Sequence, residues 1–98
     1  MRLIYHPEAE AELVEAARFY EQNVPGLGAQ FLDGTEHAVK AILKSPEFYR
    51  VFTEDVRQYV IPRFPYTIYY RIRPDHLRIL AFKHHSRHPD YWRERIGD

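Results

Sequence analysis

The hydrophobic period of the chain changes once, near Pro46, and that change limits the folds open to it. Before it, apolar residues recur every three or four positions; after it, β-branched and aromatic residues dominate and alternate. A helical half followed by a strand half predicts an α+β domain, with the helices covering one face of an antiparallel sheet. At 98 residues the chain has room for one domain spanning 1–98 and little else.

Within the first half, Leu3-Ile4-Tyr5 reads as a short strand ended by His6-Pro7. Pro7 suits the first helical position, where its missing N–H is not needed, and Glu8 and Glu10 complement the positive end of the helix dipole. Leu13, Ala17, Tyr20 and Val24 recur at helical spacing while Glu8, Glu12 and Glu15 share another face, which predicts an amphipathic helix over about 7–22. Asn23-Val24-Pro25-Gly26 breaks it. A second helix is expected over about 27–44, with Phe31, Thr35, Ala38 and Ile42 on one stripe; Ser45-Pro46 stops it. The short connection makes the pair an antiparallel hairpin.

In the second half, Val56–Ile61, Tyr66–Arg73 and Leu77–His84 read as three strands joined by short turns, hence an antiparallel meander. Tyr66, Ile68, Tyr70 and Ile72 point to one face; Thr67, Tyr69, Arg71 and Arg73 point to the other. The last strand is apolar on both faces apart from Arg78, so it needs cover on both sides. The tail, Pro89 to Ile96, has the signals of a short helix. The expected order is β-α-α-β-β-β with a helical tail.

Composition excludes several classes. There is no cysteine, so disulfides and thiolate-bound metals are out and a reducing cytoplasm fits. No basic-plus-apolar leader opens the chain and no apolar run nears the ~20 residues of a membrane span, so a cytoplasmic protein without membrane contact is expected. The zero net charge hides an asymmetry: residues 1–49 carry four Lys/Arg against eight Asp/Glu, and residues 50–98 carry ten against six. The basic half suits an anionic partner, or simply an acidic helical layer.

Three segments in order carry a family resemblance: Tyr5-His6-Pro7-Glu8-Ala9 before a long helix, the turn and strand Arg63-Phe64-Pro65-Tyr66-Thr67-Ile68-Tyr69-Tyr70-Arg71-Ile72, and the closing run from Ile79 to Trp92 with its His88-Pro89-Asp90-Tyr91-Trp92 end. Together they resemble the RelE/ParE superfamily of toxins over nearly the whole chain. The resemblance implies a type II toxin neutralised by a cognate antitoxin. It also implies one of two actions, inhibition of DNA gyrase or ribosome-dependent cleavage of messenger RNA; a degenerate member that only binds its antitoxin is a third reading.

Metal-free RNA cleavage needs a group to activate the 2′-hydroxyl, positive charge at the phosphate and an acid for the leaving oxygen. Arg57, Arg63, Arg71, Arg73 and Lys83 are candidate phosphate clamps; His84, His85 and His88 are candidate proton carriers; Tyr91 and Trp92 are candidate stacking groups. The narrowest catalytic set is His84, His85, Arg71 and Tyr91. Ribonuclease members often carry an arginine after the tyrosine that opens the middle strand, where this chain has Thr67, and a denser basic set on the preceding strand, where only Arg57 is charged. The remainder resembles the ParE-like branch, for which a target-binding surface of Arg71, Arg73, Lys83, Arg87 and Trp92 is expected. His84 and His88 are four apart, but on a strand end and loop that spacing does not converge two ligands, so no metal and no cofactor is expected.

Overall fold

The computed structural model describes residues 1–97; Asp98 lies outside the described residues. Eight elements follow in chain order: β1 (Arg2–Tyr5), α1 (Pro7–Asn23), α2 (Leu27–Lys44), β2 (Val51–Thr53), β3 (Val56–Val60), β4 (Tyr66–Ile72), β5 (His76–His84) and a terminal 3-10 turn, η1 (Arg93–Gly97). The five strands form one sheet in the order β1-β5-β4-β3-β2. The meander β3-β4-β5 is antiparallel, and β1 joins its outer edge parallel to β5, with Leu3 opposite Leu77 and Tyr5 opposite Ile79. This is the expected α+β fold with one additional strand, β2.

The helix limits follow local chemistry. His6 caps α1: its Nδ1 accepts from the Glu8 N–H at 3.1 Å, and Pro7 follows at the first helical position. Gly26 stands before α2 at φ 87, a left-handed backbone that a side chain would strain. Glu21, at the end of α1, accepts from the Gly26 and Gly28 N–H groups at 2.9 and 3.0 Å, supplying the cap that α2 lacks.

The hairpin covers the front face of the sheet. Ile42 and Ala38 of α2 meet Ile68 and Tyr70 of β4 and Leu77, Ile79 and Phe82 of β5 in the main core. Ile42 and Ile68, placed at this interface by the sequence periodicity, are fully buried. Register explains how β5 is apolar on both faces. Tyr69 faces Ala81 and Tyr70 faces Ile79, so Leu80 is an extra residue, and Leu80 and Ala81 both join the back-face cluster.

Candidate functional site

The back face of the sheet is not left to solvent. The tail crosses it and drives Trp92, fully buried, against Tyr69, with ring centroids 4.5 Å apart and nearly parallel planes. Val56, Leu80 and Ala81 complete this second core, and Phe52 of β2 adds its ring edge to Tyr69 at 5.2 Å. The tail's helical part is shorter than expected. A 3-10 turn eclipses residues three apart, so Trp92 and Arg95 both face inward, and the Arg95 N–H donates to the Trp92 carbonyl at 2.9 Å.

Arg95 is 6% exposed and is held by Glu12 of α1. Its Nη1 donates to Glu12 Oε1 at 2.9 Å and its Nη2 to Oε2 at 3.0 Å, a two-pronged fit of guanidinium to carboxylate. Nη1 also donates to the Leu80 carbonyl at 3.0 Å, while the Phe82 N–H donates to Glu12 Oε1 at 3.1 Å. These are edge groups of β5 beyond the point where β1 stops pairing. Two side chains therefore do the work of a missing strand. Tyr91 donates its hydroxyl to Glu12 Oε2 at 2.6 Å, and its ring lies 3.6 Å beneath the Arg87 guanidinium. Burial, then the bond to Glu12, pushes the Tyr91 hydroxyl well above its ordinary pKa, so it stays a proton donor in this network.

The expected target surface divides into nearly buried and half-exposed groups. Arg71 has a side chain only 14% exposed; its Nε and Nη2 donate to Asp55, and its Nη1 donates to the Ile96 carbonyl at 2.7 Å. The hydrogen bond from Arg71 holds the Asp55 carboxyl below the usual carboxylate range. Lys83 is nearly buried, with Nζ on the His84 carbonyl at 3.1 Å. With Trp92 buried as well, three of the five expected residues brace the tail and sheet. Arg73 and Arg87 keep about half of their side chains in solvent, at 42% and 52% exposure. Sequence reasoning missed Glu12 and Arg95, whose spacing of 83 residues left only the polar stripe on α1 as a signal.

The histidines sit at the other end of β5 and in the turn after it. His84 Nδ1 accepts from the Ser86 N–H at 3.0 Å and lies 2.7 Å from Ser86 Oγ; its ring meets Tyr66 edge-on at 5.1 Å. His85 Nε2 lies 3.2 Å from Thr67 Oγ1, and His88 Nδ1 accepts from the Asp90 N–H. Each imidazole thus closes a local turn or meets a cross-strand hydroxyl. Arg57 and Arg63 are placed apart from them: Arg57 donates to the Glu47 and Tyr49 carbonyls, and Arg63 forms the β3–β4 turn at φ 72. Among the described residues no three His, Cys, Asp or Glu side chains gather as a metal-binding group, and no helix is long and apolar enough to cross a membrane.

No curated protein sequence matches the chain. Among solved structures it is similar to a chain of the chromosomal ParDE toxin–antitoxin system from P. aeruginosa, at 18% identity and a TM-score of 0.63, covering 86% of this chain and 95% of that one. That likeness is one of fold. Residues 3–89, from the first strand to the start of the tail, match the family described as the ParE toxin of the type II toxin–antitoxin system parDE. The chain belongs to this ParE toxin family.

Proposed function

We propose that this toxin arrests growth by binding DNA gyrase, and that a cognate antitoxin neutralises it by covering part of the helix hairpin and the sheet. The observation that supports a binding mode over RNA cleavage is the tail. Trp92 is fully buried on the sheet face where an RNA-cleaving site would need room for phosphate and base. On that same face Arg71 is spent on Asp55 and the Ile96 carbonyl. What remains for contact is protein-like: the guanidiniums of Arg73 and Arg87 at the rim of a packed aromatic surface. For the antitoxin, the support is the outer side of the hairpin. Val14, Ala17, Ala29 and Leu32 line an apolar groove there, and Val14, Phe19 and Leu32 are exposed.

The test is to add the purified chain to a gyrase supercoiling reaction and, separately, to a translating extract. Block of supercoiling with intact messenger supports the proposal. Codon-positioned cleavage with normal supercoiling replaces it with the ribonuclease. Neither effect, in a folded chain, leaves only antitoxin binding.

A further inference from the structure

Arg78 is the lone polar residue in the otherwise apolar run from Leu77 to Phe82, and among the described residues no acid pairs with it. It lies on the back face of β5, paired in register with Arg71 of β4 and, on the other side, with Ile4 of β1. Like charges directly opposite one another across two strands are destabilising. Arg71 escapes this through Asp55, and Arg73 reaches the same carboxylate at 4.0 Å. One acid therefore serves two arginines. The Arg78 side chain makes no hydrogen bond or ion pair among the described residues, and its Nε is buried without a partner. An arginine cannot shed its proton to relieve such a position. The fold keeps a partly buried cation that a bound anion would complete.

The chemistry of the surroundings selects the anion. The guanidinium fork matches a carboxylate or a phosphate in a bidentate fit. A nucleic-acid backbone is read by cations spread along a stripe, and it feels the whole field of the protein. Here the cations are confined to the end of one strand pair, Asp55 sits among them, and residues 1–49 carry a net charge of −4. A carboxylate of a protein segment fits that arrangement, whereas a phosphate backbone finds no further stripe of cations to follow from it.

We propose that Arg78, flanked by Arg73, is a docking point for an aspartate or glutamate side chain on an acidic segment of a partner protein. The inference rests on the reading that this toxin works by binding a protein, and it adds the chemistry of the segment bound. The site lies by the β4–β5 hairpin on the face of the sheet opposite the helix hairpin, so an antitoxin seated on the apolar groove alone leaves it open.

The test uses the full chain, an oligoglutamate peptide and an oligothymidylate of equal charge. Titration of the peptide shifts the Nε–Hε resonances of Arg78 and Arg73, and the peptide binds more tightly than the oligonucleotide. Arg78→Gln weakens peptide binding about tenfold or more, the scale of one charge-assisted bond. Arg78→Lys, which keeps charge without the fork, falls between. The urea midpoint of Arg78→Gln does not fall, because an unpaired charge has been removed. Equal peptide affinity in folded Arg78→Gln, an unmoved Arg78 resonance, or preference for the oligonucleotide overturns the proposal. If the chain binds the peptide through Arg78 yet leaves supercoiling untouched, gyrase fails as the target and the carboxylate site stands.

Discussion

Glu12 is the residue on which most of the tail's attachment converges. It takes hydrogen bonds from Arg95, Tyr91 and the Phe82 N–H, and an ion pair from Arg87. Truncating it to alanine leaves buried Arg95 with only the exposed Glu8 carboxylate at 3.7 Å as counter-charge, and an edge N–H unpaired. Glu12→Ala is therefore expected to cost ~3–5 kcal/mol in a urea titration, and a loss under about 1 kcal/mol would mean that the network contributes little. Tyr70 gives a second residue-level expectation. Burial raises its pKa to about 12, and its hydroxyl donates to the Pro46 carbonyl at 2.7 Å. An unfolded tyrosine ionises near ~10, so the buried hydroxyl's contribution is complete below that pH and is lost as pH rises towards the folded value. Thermal melts of the wild type should fall across that alkaline window more steeply than those of Tyr70→Phe; identical slopes would remove Tyr70 as the cause. Tyr70 was legible as a core residue from its alternation with Ile68. Glu12 was not, because from the sequence a solvated polar face and an anchoring one look alike until a distant partner is placed beside them.

At the scale of elements, sequence signals worked where one local force dominates. Both helices end where proline and glycine require, and Tyr66 to Ile72 alternates as read. The exceptions were elements formed by tertiary pairing. β2 has only three residues, none of them buried, and exists through its register with β3, Val51 opposite Arg57. η1 is held by tertiary contacts, with Trp92 buried against Tyr69 and Arg95 on Glu12. The glycines of α2 separate packing from propensity. A Cβ at Gly28 would stand 2.6 Å from the Ala17 carbonyl, a backbone atom of the neighbouring helix, whereas a Cβ at Gly34 would meet the Phe64 ring at 3.6 Å, an ordinary contact. Gly34→Ala is expected to raise stability by ~0.5–1 kcal/mol through helix propensity, and Gly28→Ala to lower it by ~1–3 kcal/mol through overpacking. Denaturant midpoints of the two variants should move in opposite directions; a shared direction would mean the hairpin spacing is misread.

For the whole molecule, the acidic helical half and basic sheet half are joined by ion pairs from Glu8 and Glu12 to Arg87 and Arg95, so part of the charge asymmetry is structural. The fold class was legible from the change of period. The expected target surface was legible only as a list of cations, because alternation shows which face a side chain takes and not whether a tail covers it. The apolar groove on the hairpin leads to an expectation for the assembled state. A coexpressed antitoxin should copurify and stay bound on a sizing column at micromolar concentration, its several apolar anchors offsetting the cost of ordering. Separation of the two would remove the hairpin as its seat. For the mechanism, the structure changes which substitution is informative. Arg71→Glu would set a second carboxylate against Asp55 and strip the Ile96 carbonyl of its donor, so loss of toxicity there would report unfolding as readily as contact. His84 and His85 are better placed, because each makes local bonds that glutamine can partly replace. If the toxin acts by binding gyrase, the double variant His84→Gln, His85→Gln keeps its block of supercoiling while Arg73→Gln with Arg87→Gln, which removes both charges without setting a carboxylate against Asp55 or Glu12, weakens it by about tenfold or more. If it cleaves RNA through His84 or His85, the double glutamine variant loses cleavage with the protein still folded, because the imidazole that moves the proton is gone. Circular dichroism of each variant, run beside the supercoiling and cleavage assays, separates the two outcomes: a folded double glutamine protein that no longer arrests growth would reverse the assignment.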